Sequence, residues 1–420
     1  MPADVHQAFR PKKMLPEPYP IFNNFSGQLI HFGISGSISA YKIPDLIRLL
    51  QKSSIRIGCT LTRSGGDFVS PLVLSALGVD PVYDQNNFDS VIQPFAHLSD
   101  RQKMDLFLVA PATANILAKT AAGIADDLLT CQILSYPGPV YFAPAMNPQM
   151  WDNSITRRNV EVIQNAGHRI IFPETGKVAC GDTGTGRLAS IVSLYFQCLR
   201  TLCPQTFKGQ KALVSAGPTH EYFDLVRYWG NPSSGRMGLA ASLALWLHGA
   251  AVYFVHGPMQ ALQALPDFYL HPVTSADEMY NACRKIWPEC RYGIFAAAVA
   301  DFTPESSPEG KFKKGDREQI LLTLLRTRDI LAGLSKSRAA HQIVIGFAAE
   351  ADDLINNARK KMQRKDLDLV VANLVTPEAT PFGSTHNEVV LLDRHHRIEK
   401  WPRLSKAEIA WRLADRIAAL

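Results

Sequence analysis

The sequence predicts two doubly wound α/β domains with mainly parallel sheets. Three observations support this class: buried apolar runs alternate with helical patterns, the alternation starts afresh after a central break, and 420 residues exceed what one core usually serves. Hydrophobic residues make up 46% of the chain and charged residues 20%, which excludes a largely disordered protein.

The first series of elements alternates in the order strand Leu29–Ile34, helix Tyr41–Gln51, strand Ile55–Thr62, strand Asp105–Ala110, the Ala- and Leu-rich stretch Ala112–Thr130 and strand Val140–Ala145. The second series runs as strand Lys211–Ala216, helix Met237–His248 and strands Ala251–His256, Gly293–Val299, Gln342–Gly346 and Leu367–Ala372. Helix Ser190–Leu202 and a polar segment separate them. We therefore expect an N-terminal arm over 1–26 and domains over 27–203 and 204–420.

Charge and cysteine content restrict the class of protein further. The net charge of +6 is weak evidence for nucleic-acid binding over this length, and no apolar run is long enough to span a bilayer. The first residues lack the apolar core of a secretory signal. The seven cysteines are scattered without a CxxC pair, which is typical of reduced thiols. We expect a cytoplasmic protein without nucleic-acid or membrane partners.

Polar and small residues follow three strands of the first series, at the sheet edge where ligands bind in open α/β folds. The segment 35–42 (SGSISAYK) suits a phosphate at a helix N-terminus, although a tight turn alone would explain it. The segments 110–115 (APATAN) and 143–151 (APAMNPQMW) leave the sheet at prolines, and Asn147 can donate and accept hydrogen bonds there.

A glycine-rich loop and one histidine complete the candidates of the first half. Four glycines surround Cys180 in 173–187, which indicates either a lid over a substrate or a flexible connection. An exposed thiol is a chemical liability, which favours a role for Cys180. His97 is a candidate acid or base, and a structural role is the alternative.

The second half carries groups suited to an activated anion. The segment 231–238 (NPSSGRMG) predicts a helix start capped by Ser233 or Ser234, with free N–H groups for an anion. The strand over 296–302 delivers Asp301 at its end. Lys311 begins a KFKK run that a solvated loop would also explain. If 352–365 is helical, Lys361 and Lys365 share one face.

GSISAYK, His97, APATAN, PAMNPQMW and ACGD in this order resemble the flavin-dependent cysteine decarboxylases. They are most similar to the first half of bacterial bifunctional phosphopantothenoylcysteine decarboxylase/phosphopantothenate–cysteine ligases of coenzyme A synthesis. The resemblance implies a flavodoxin-like flavoprotein domain whose FMN contacts are Gly36, Ser37, Ile38, Thr62, Thr113 and Asn115. It also implies catalysis by His97, carboxylate binding by Asn147 and proton donation by Cys180. The flavin would oxidise the CH₂–SH carbon to a thioaldehyde, which makes loss of CO₂ possible.

The second half resembles the ligase of the same family through AGPTHE, SSGRMG, AAAVADF, KFKK, GFAAE and LDLVVAN. The resemblance implies a Rossmann-like domain that couples 4′-phosphopantothenate to cysteine with CTP and Mg²⁺. Asn231 would hold the acyl-cytidylate, with Arg227 near it and Lys311 catalytic. The implied nucleotide contacts are Asp301, Lys311, Arg328, Asp329, Ile330, Leu331, Phe347, Lys361 and Lys365. The family also implies a homo-oligomer.

Some residues depart from the family pattern, and two other functions stay open. His220 replaces a common Arg, Trp229-Gly230 precede Asn231, and Ser37 stands where Gly is frequent. These departures bear on phosphate affinity and leave the catalytic groups intact. The alternatives are a flavin-dependent decarboxylase of peptidyl cysteine, which has no use for Asn231, and a catalytically inactive flavin-binding regulatory protein.

Overall fold

Two units make up the chain in the computed structural model, Phe22–Pro204 and Gln205–Leu420. The structure describes residues 20–84, 103–177, 181–259, 266–305, 310–313, 315, 318–375 and 384–420. Each unit is built on its own sheet. No helix in these ranges is both long enough and apolar enough to cross a membrane.

The front unit, Phe22–Pro204, is built on a parallel sheet of six strands in the order β3-β2-β1-β4-β5-β6. The strands are β1 Leu29–Ile34, β2 Arg56–Leu61, β3 Val82–Tyr83, β4 Leu106–Ala112, β5 Val140–Pro144 and β6 Arg169–Ile170. An antiparallel hairpin follows, with β7 Glu174–Lys177 and β8 Thr183–Arg187. The helices are α1 Ile43–Gln51, α2 Arg63–Gly66, α3 Pro71–Ala76, α4 Ala114–Ala122, α5 Leu128–Ser135, α6 Pro148–Asp152, α7 Ser154–Asn165 and α8 Ile191–Leu202, with a 3₁₀ turn at Ile38–Lys42.

The core of the front unit explains why these segments become strands. Every residue of β1 and β4 is buried, as expected for strands that helices cover on both faces. Phe107, Phe142 and Trp151 are at most 1% exposed and belong to one apolar cluster. The predicted stretch Ala112–Thr130 is two helices rather than one, because Gly123 takes a left-handed conformation and Asp127 caps a new helix.

The rear unit, Gln205–Leu420, is built on a sheet of eight strands in the order β13-β12-β9-β14-β17-β18-β19-β20. The strands of this unit are β9 Lys211–Ala216, β10 Glu221–Tyr222, β11 Tyr228–Trp229, β12 Ala251–His256, β13 Tyr269–Pro272, β14 Tyr292–Phe295, β15 Phe302–Pro304, β16 Leu324–Arg326, β17 Ile343–Glu350, β18 Leu369–Leu374, β19 His386–Asp393 and β20 Ile398–Ser405. The helices are α9 Arg236–Leu247, α10 Ala276–Ile286, α11 Ile330–Lys336, α12 Leu354–Lys365 and α13 Lys406–Ala418, with a 3₁₀ turn at Trp287–Glu289. β19 and β20 join antiparallel, and the other six strands are parallel.

The predicted class of two doubly wound, mainly parallel domains is confirmed. In both units the chain starts in the middle of the sheet, moves to one edge and returns to the other side. The front sheet has the six-strand order 3-2-1-4-5-6 rather than the 2-1-3-4-5 order of flavodoxin, and both belong to the doubly wound class. Each sheet therefore has a switch point, between β1 and β4 in front and between β9 and β14 in the rear.

One predicted strand ends earlier than its apolar run suggests. The run Gly293–Val299 forms β14 only as far as Phe295. Beyond it, the Ala296 and Ala298 N–H groups donate to carbonyl oxygens of Ser215 and Gly217. The chain therefore follows the turn after β9 and brings residues 296–301 to the switch point of the rear sheet.

Candidate active sites

Two turns meet at the switch point of the front sheet. The Ser35 hydroxyl donates to the Pro111 carbonyl oxygen at 2.7 Å, and the Thr113 N–H donates to Ser35 Oγ at 3.1 Å. Gly36 packs so tightly that a Cβ atom placed on it would stand 2.5 Å from Ser64 Cβ. The close backbone approach explains why glycine is needed at this turn.

A cavity of about 620 Å³ opens beside these turns. It contains four of the six residues that the resemblance assigns to FMN: Gly36, Thr62, Thr113 and Asn115. Thr62 and Thr113 cap α2 and α4, so two helix N-termini begin at its wall. Ser37 and Ile38 lie outside the lining: the Ser37 hydroxyl accepts from the Ser39 N–H, and the Ile38 side chain is exposed.

Two cations in this cavity were missed by the sequence analysis. Arg63 and Lys119 line it. The Lys119 ammonium donates to Asp126 and Asp127 at 2.7 and 3.2 Å, and these hydrogen bonds raise the pKa of Lys119. Lys119 follows Asn115 by one helical turn, so the helix period after APATAN could have indicated it.

Asn147 is held between a helix start and the hairpin that follows β6. Its carboxamide oxygen accepts from the Gln149 N–H at 2.8 Å, and its Nδ2 donates to Asp182 Oδ2 at 2.7 Å. The Met146 N–H donates to the Gly186 carbonyl oxygen at 2.9 Å. The hairpin β7–β8 is therefore fixed to the segment that carries Asn147.

The glycine-rich segment predicted as a lid or a connection is this antiparallel hairpin. Lys177 pairs with Thr183 in this hairpin. Cys180 comes between these two residues in the sequence and lies outside the described residues, as does His97. Asp182, two residues after Cys180 in the sequence, contacts Asn147, which links the ACGD motif to the PAMN motif.

A cavity of about 180 Å³ lies at the switch point of the rear sheet. Eight of the ten residues predicted to bind substrates line it: Asp301, Arg328, Asp329, Ile330, Leu331, Phe347, Lys361 and Lys365. They come from the turn after β14, the start of α11, strand β17 and helix α12. Their convergence from four separate stretches of sequence indicates a binding site.

The two lysines of α12 are anchored differently. Lys361 donates to the Phe347 carbonyl oxygen at 2.7 Å, and burial together with the Lys365 charge lowers the pKa of Lys361. Lys365 pairs with Asp329 at 2.8 Å, and Asp329 caps α11. The predicted helix is confirmed, and both ammonium groups line the same cavity.

A second cavity, of about 550 Å³, adjoins the first and contains Asn231. The Asn231 Nδ2 donates to the Val299 carbonyl oxygen at 2.9 Å. The predicted cap of the following helix is wrong: Gly235 is the N-cap of α9, and no side-chain hydrogen bond caps it. Ser233 instead accepts from the Gly235 N–H at 3.3 Å. The first turn of α9 thus presents backbone N–H groups to this cavity.

Arg227 and Lys311 do not line either cavity. They lie on two loops that the carboxylate of Asp224 holds together. Asp224, whose side chain is fully buried, accepts from the Arg227 guanidinium at 3.1 Å and from the Phe312 N–H at 3.0 Å. Burial alone would raise the pKa of Asp224, but the backbone donors and Arg227 hold it below its usual range. Phe312 follows Lys311 directly, so the two cations are carried by connected loops.

Four polar residues of the second cavity were missed by the sequence analysis: Arg236, Asn373, Asn387 and Lys406. They come from α9, β18, β19 and α13. Lys406 begins a helix with the pattern SKAE, which indicates a cap but not burial. Only the tertiary arrangement of β19 and α13 brings it inside.

Candidate metal ligands are few. Among the described residues, no group of three or more His, Cys, Asp or Glu side chains is arranged to hold a metal ion. Magnesium bound to nucleotide phosphates keeps several waters and needs only one or two carboxylates. Asp301, which lines both rear cavities, is one such carboxylate.

Comparison with known proteins gives two family matches. The family described as Flavoprotein matches residues 23–201, and that of the DNA/pantothenate metabolism flavoprotein C-terminal domain matches residues 207–420. These matches divide the chain as its two sheets do.

Curated relatives match nearly the whole chain. The coenzyme A biosynthesis bifunctional protein CoaBC of Vibrio vulnificus (strain YJ016) is 36% identical over 383 residues, 91% of this chain and 93% of that protein. CoaBC of Bacillus subtilis (strain 168) is 37% identical over 392 residues, 92% and 96% of the two chains. A cysteine/cysteine sulfinic acid decarboxylase of an unknown prokaryotic organism is 37% identical over 360 residues, 84% and 99%. The resemblance inferred from the motifs is confirmed, and this chain belongs to the CoaBC family of bifunctional coenzyme A biosynthesis enzymes, which combine a decarboxylase with a ligase.

Proposed function

We propose that the rear unit joins 4′-phosphopantothenate to cysteine with CTP, and that the front unit decarboxylates the product to 4′-phosphopantetheine with FMN. The observation that carries the proposal is the rear cavity at the sheet switch point, which gathers eight residues that the ligase motifs identify. The adjoining cavity supplies Asn231. A decarboxylase of free or peptidyl cysteine would not need this second site.

In the ligase reaction, the substrate carboxylate attacks the α-phosphate of CTP and pyrophosphate leaves. Two anions must approach each other, so cations have to offset their repulsion. Lys361 and Lys365 supply two positive charges at the cavity wall, and Mg²⁺ bound to the phosphates would supply more. Arg227 and Lys311 would act together, and the contacts of Asp224 with Arg227 and with Phe312 support this proposal.

The acyl-cytidylate then reacts with the amine of cysteine, which forms the amide bond and releases CMP. We assign Asn231 to hydrogen bonding of the mixed anhydride. Its Nδ2 is held by the Val299 carbonyl oxygen, which fixes the carboxamide orientation at the cavity wall. The bare first turn of α9 offers N–H donors to a phosphate in the same cavity.

The front cavity suits FMN because glycine at position 36 lets the turn pack closely at the cavity wall, and because two helix N-termini and the cations Arg63 and Lys119 lie at this wall, where they would attract a phosphate. We assign the phosphate to the turn that contains Gly36, Ser37 and Ile38, with Thr62, Thr113 and Asn115 as further contacts. Bound FMN would accept a hydride from the carbon that carries sulfur and later return it.

The chain's own groups position the substrate and transfer protons. Asn147 would hold the substrate carboxylate until CO₂ leaves, and Asp182 fixes its carboxamide. Cys180, two residues before Asp182 in the sequence, would donate the proton to the product carbon. We retain His97 as a catalytic group beside the flavin. We also propose that the enzyme is a cytoplasmic homo-oligomer that uses Mg²⁺.

A product assay tests both reactions. The purified chain is incubated with phosphopantothenate, cysteine and CTP, and its products are identified by mass. Phosphopantetheine, CMP and pyrophosphate are expected, and cysteine alone should yield no CO₂. Decarboxylation of free or peptidyl cysteine without CTP consumption would identify the alternative enzyme. A yellow protein that turns over none of these substrates would indicate the inactive flavin-binding alternative.

Variants separate the two sites. Asn231→Asp should stall at the acyl-cytidylate, and Lys311→Gln should lower ligation while the flavin absorbance stays intact. Cys180→Ser should still release CO₂ but accumulate the enethiol. Unchanged ligation in Asn231→Asp, or a normal phosphopantetheine yield in Cys180→Ser, would contradict these assignments.

A further inference from the structure

The Asn231 cavity contains a group of donors that the ligase assignment does not use. Arg236, Asn373, Asn387 and Lys406 line it, and each comes from a different element. Lys406 is only 7% exposed, although it carries an ammonium group. An ammonium group at the wall of a cavity can bind an anionic group of a ligand in addition to its contacts within the protein.

The charges around Lys406 favour an anion. The cationic side chains that line this cavity are Arg236, Lys361 and Lys406, and Asp301 is the one carboxylate among the described lining residues. Arg236 is near enough to lower the pKa of Lys406, after the larger effect of burial. Three cations against one carboxylate give the described wall of this cavity an excess of positive charge, which attracts an anionic ligand.

Asn373 supplies an independent observation. Its side chain is 7% exposed, and its Nδ2 has no hydrogen-bond partner among the residues that the structure describes. Such a buried donor costs free energy until an acceptor reaches it. Asn387 accepts the Glu388 N–H at 3.0 Å through its oxygen, so its NH₂ group is oriented by that contact.

We propose that Lys406, with Arg236, Asn373 and Asn387, binds a terminal phosphoryl group of a substrate. The proposal rests on the ligase function and deepens it by adding a cationic subsite to the cavity of Asn231. Phosphoryl groups present three acceptor oxygens and up to two negative charges, which match two cations and two amide donors. Either the β,γ-diphosphate of CTP or the phosphate of 4′-phosphopantothenate has this chemistry.

The test compares wild type, Lys406→Met and Lys406→Arg. Inorganic pyrophosphate and inorganic phosphate are titrated into the full chain by calorimetry, and KM is measured for each substrate with the others saturating. Lys406→Met should weaken binding of at least one inorganic anion by about tenfold and raise one KM similarly, since a charged hydrogen bond is lost. Lys406→Arg should recover part of both. Exposed Lys400 on β20 provides the control, and Lys400→Met should match wild type.

The substrate whose KM rises identifies the source of the phosphoryl group. An increase in KM for CTP alone assigns the subsite to the β,γ-diphosphate of CTP. An increase in KM for phosphopantothenate alone assigns it to the phosphate of that substrate. Wild-type anion affinities together with both wild-type KM values in Lys406→Met would overturn the proposal. The titrations need no turnover, so a chain that binds the anions through Lys406 but does not ligate would refute the proposed function alone.

Discussion

Replacing Lys406 by methionine should stabilise the ligand-free rear unit at neutral pH. Burial lowers the pKa of this amine from 10.5 to about 8, and the Arg236 charge adds to the effect. The folded chain therefore holds the ammonium less favourably than the unfolded chain does. Methionine has a similar length and carries no charge, so it should fill the same space without the solvation cost.

The magnitude follows from the difference in pKa. One unit corresponds to about 1.4 kcal/mol, so a lowering from 10.5 to about 8 corresponds to ~3 kcal/mol. Below pH 8 both the folded and the unfolded chain hold the proton, and the full cost is present. Between the two pKa values the folded chain loses the proton first, so the stability of wild type rises with pH. The advantage of Lys406→Met should therefore shrink by about 1 kcal/mol from pH 7 to pH 9.

Urea unfolding followed by tryptophan emission measures this difference. Five of the six tryptophans lie after residue 205, so the signal reports mainly the rear unit. Lys406→Arg is the matched variant: it keeps a charge that does not titrate in this range, so its stability relative to Lys406→Met should not change between pH 7 and pH 9. Lys400→Met retains Lys406 and should show the pH dependence of wild type. Equal stability of wild type and Lys406→Met at both pH values would refute the reasoning, because the contacts of the ammonium within the protein would then offset the cost of its burial.

Three other variants test contacts at the two sites. Gly36→Ala brings a Cβ within 2.5 Å of Ser64 Cβ, so it should weaken FMN binding at least about tenfold in fluorescence titrations. Gly66 has open space around it, and Gly66→Ala should therefore bind FMN normally. Asp182→Asn should lower the decarboxylation rate with little change in flavin absorbance, and an unaltered rate would remove this carboxylate from the site. Asp224→Asn should reduce ligation by about tenfold, because the carboxylate loses its ionic contacts. Decarboxylation of added phosphopantothenoylcysteine should stay unaffected. Equal losses in both assays would indicate misfolding.

Local patterns were sufficient to predict most of the sheet and the place of its ligands. Buried apolar runs identify strands such as β1 and β9, and turns after them must lie at the same sheet edge. The helical spacing of Lys361 and Lys365 predicts their shared face, as the structure has it. These features depend on residues that are close together in the sequence, so the local pattern of residues is enough to predict them.

Contacts between distant segments were not predictable in the same way. The apolar run after Gly293 looks like a long strand, but hydrogen bonds to Ser215 and Gly217 divert its end. Gly235 rather than a serine caps α9, because the loop enters in a left-handed conformation. Lys406 has the local sequence of an exposed helix start, and its place in the cavity depends on distant segments such as those that carry Asn387 and Arg236.

Both units share the same central strand order, and in both the residues that stabilise the fold are largely different from those that form the site. In both units the strands supply much of the apolar core, whereas many polar groups of the sites lie in the turns and helices that follow the strands. Substitutions in those turns can alter substrate preference without disturbing the core. The same scaffold can therefore diversify in chemistry one turn at a time.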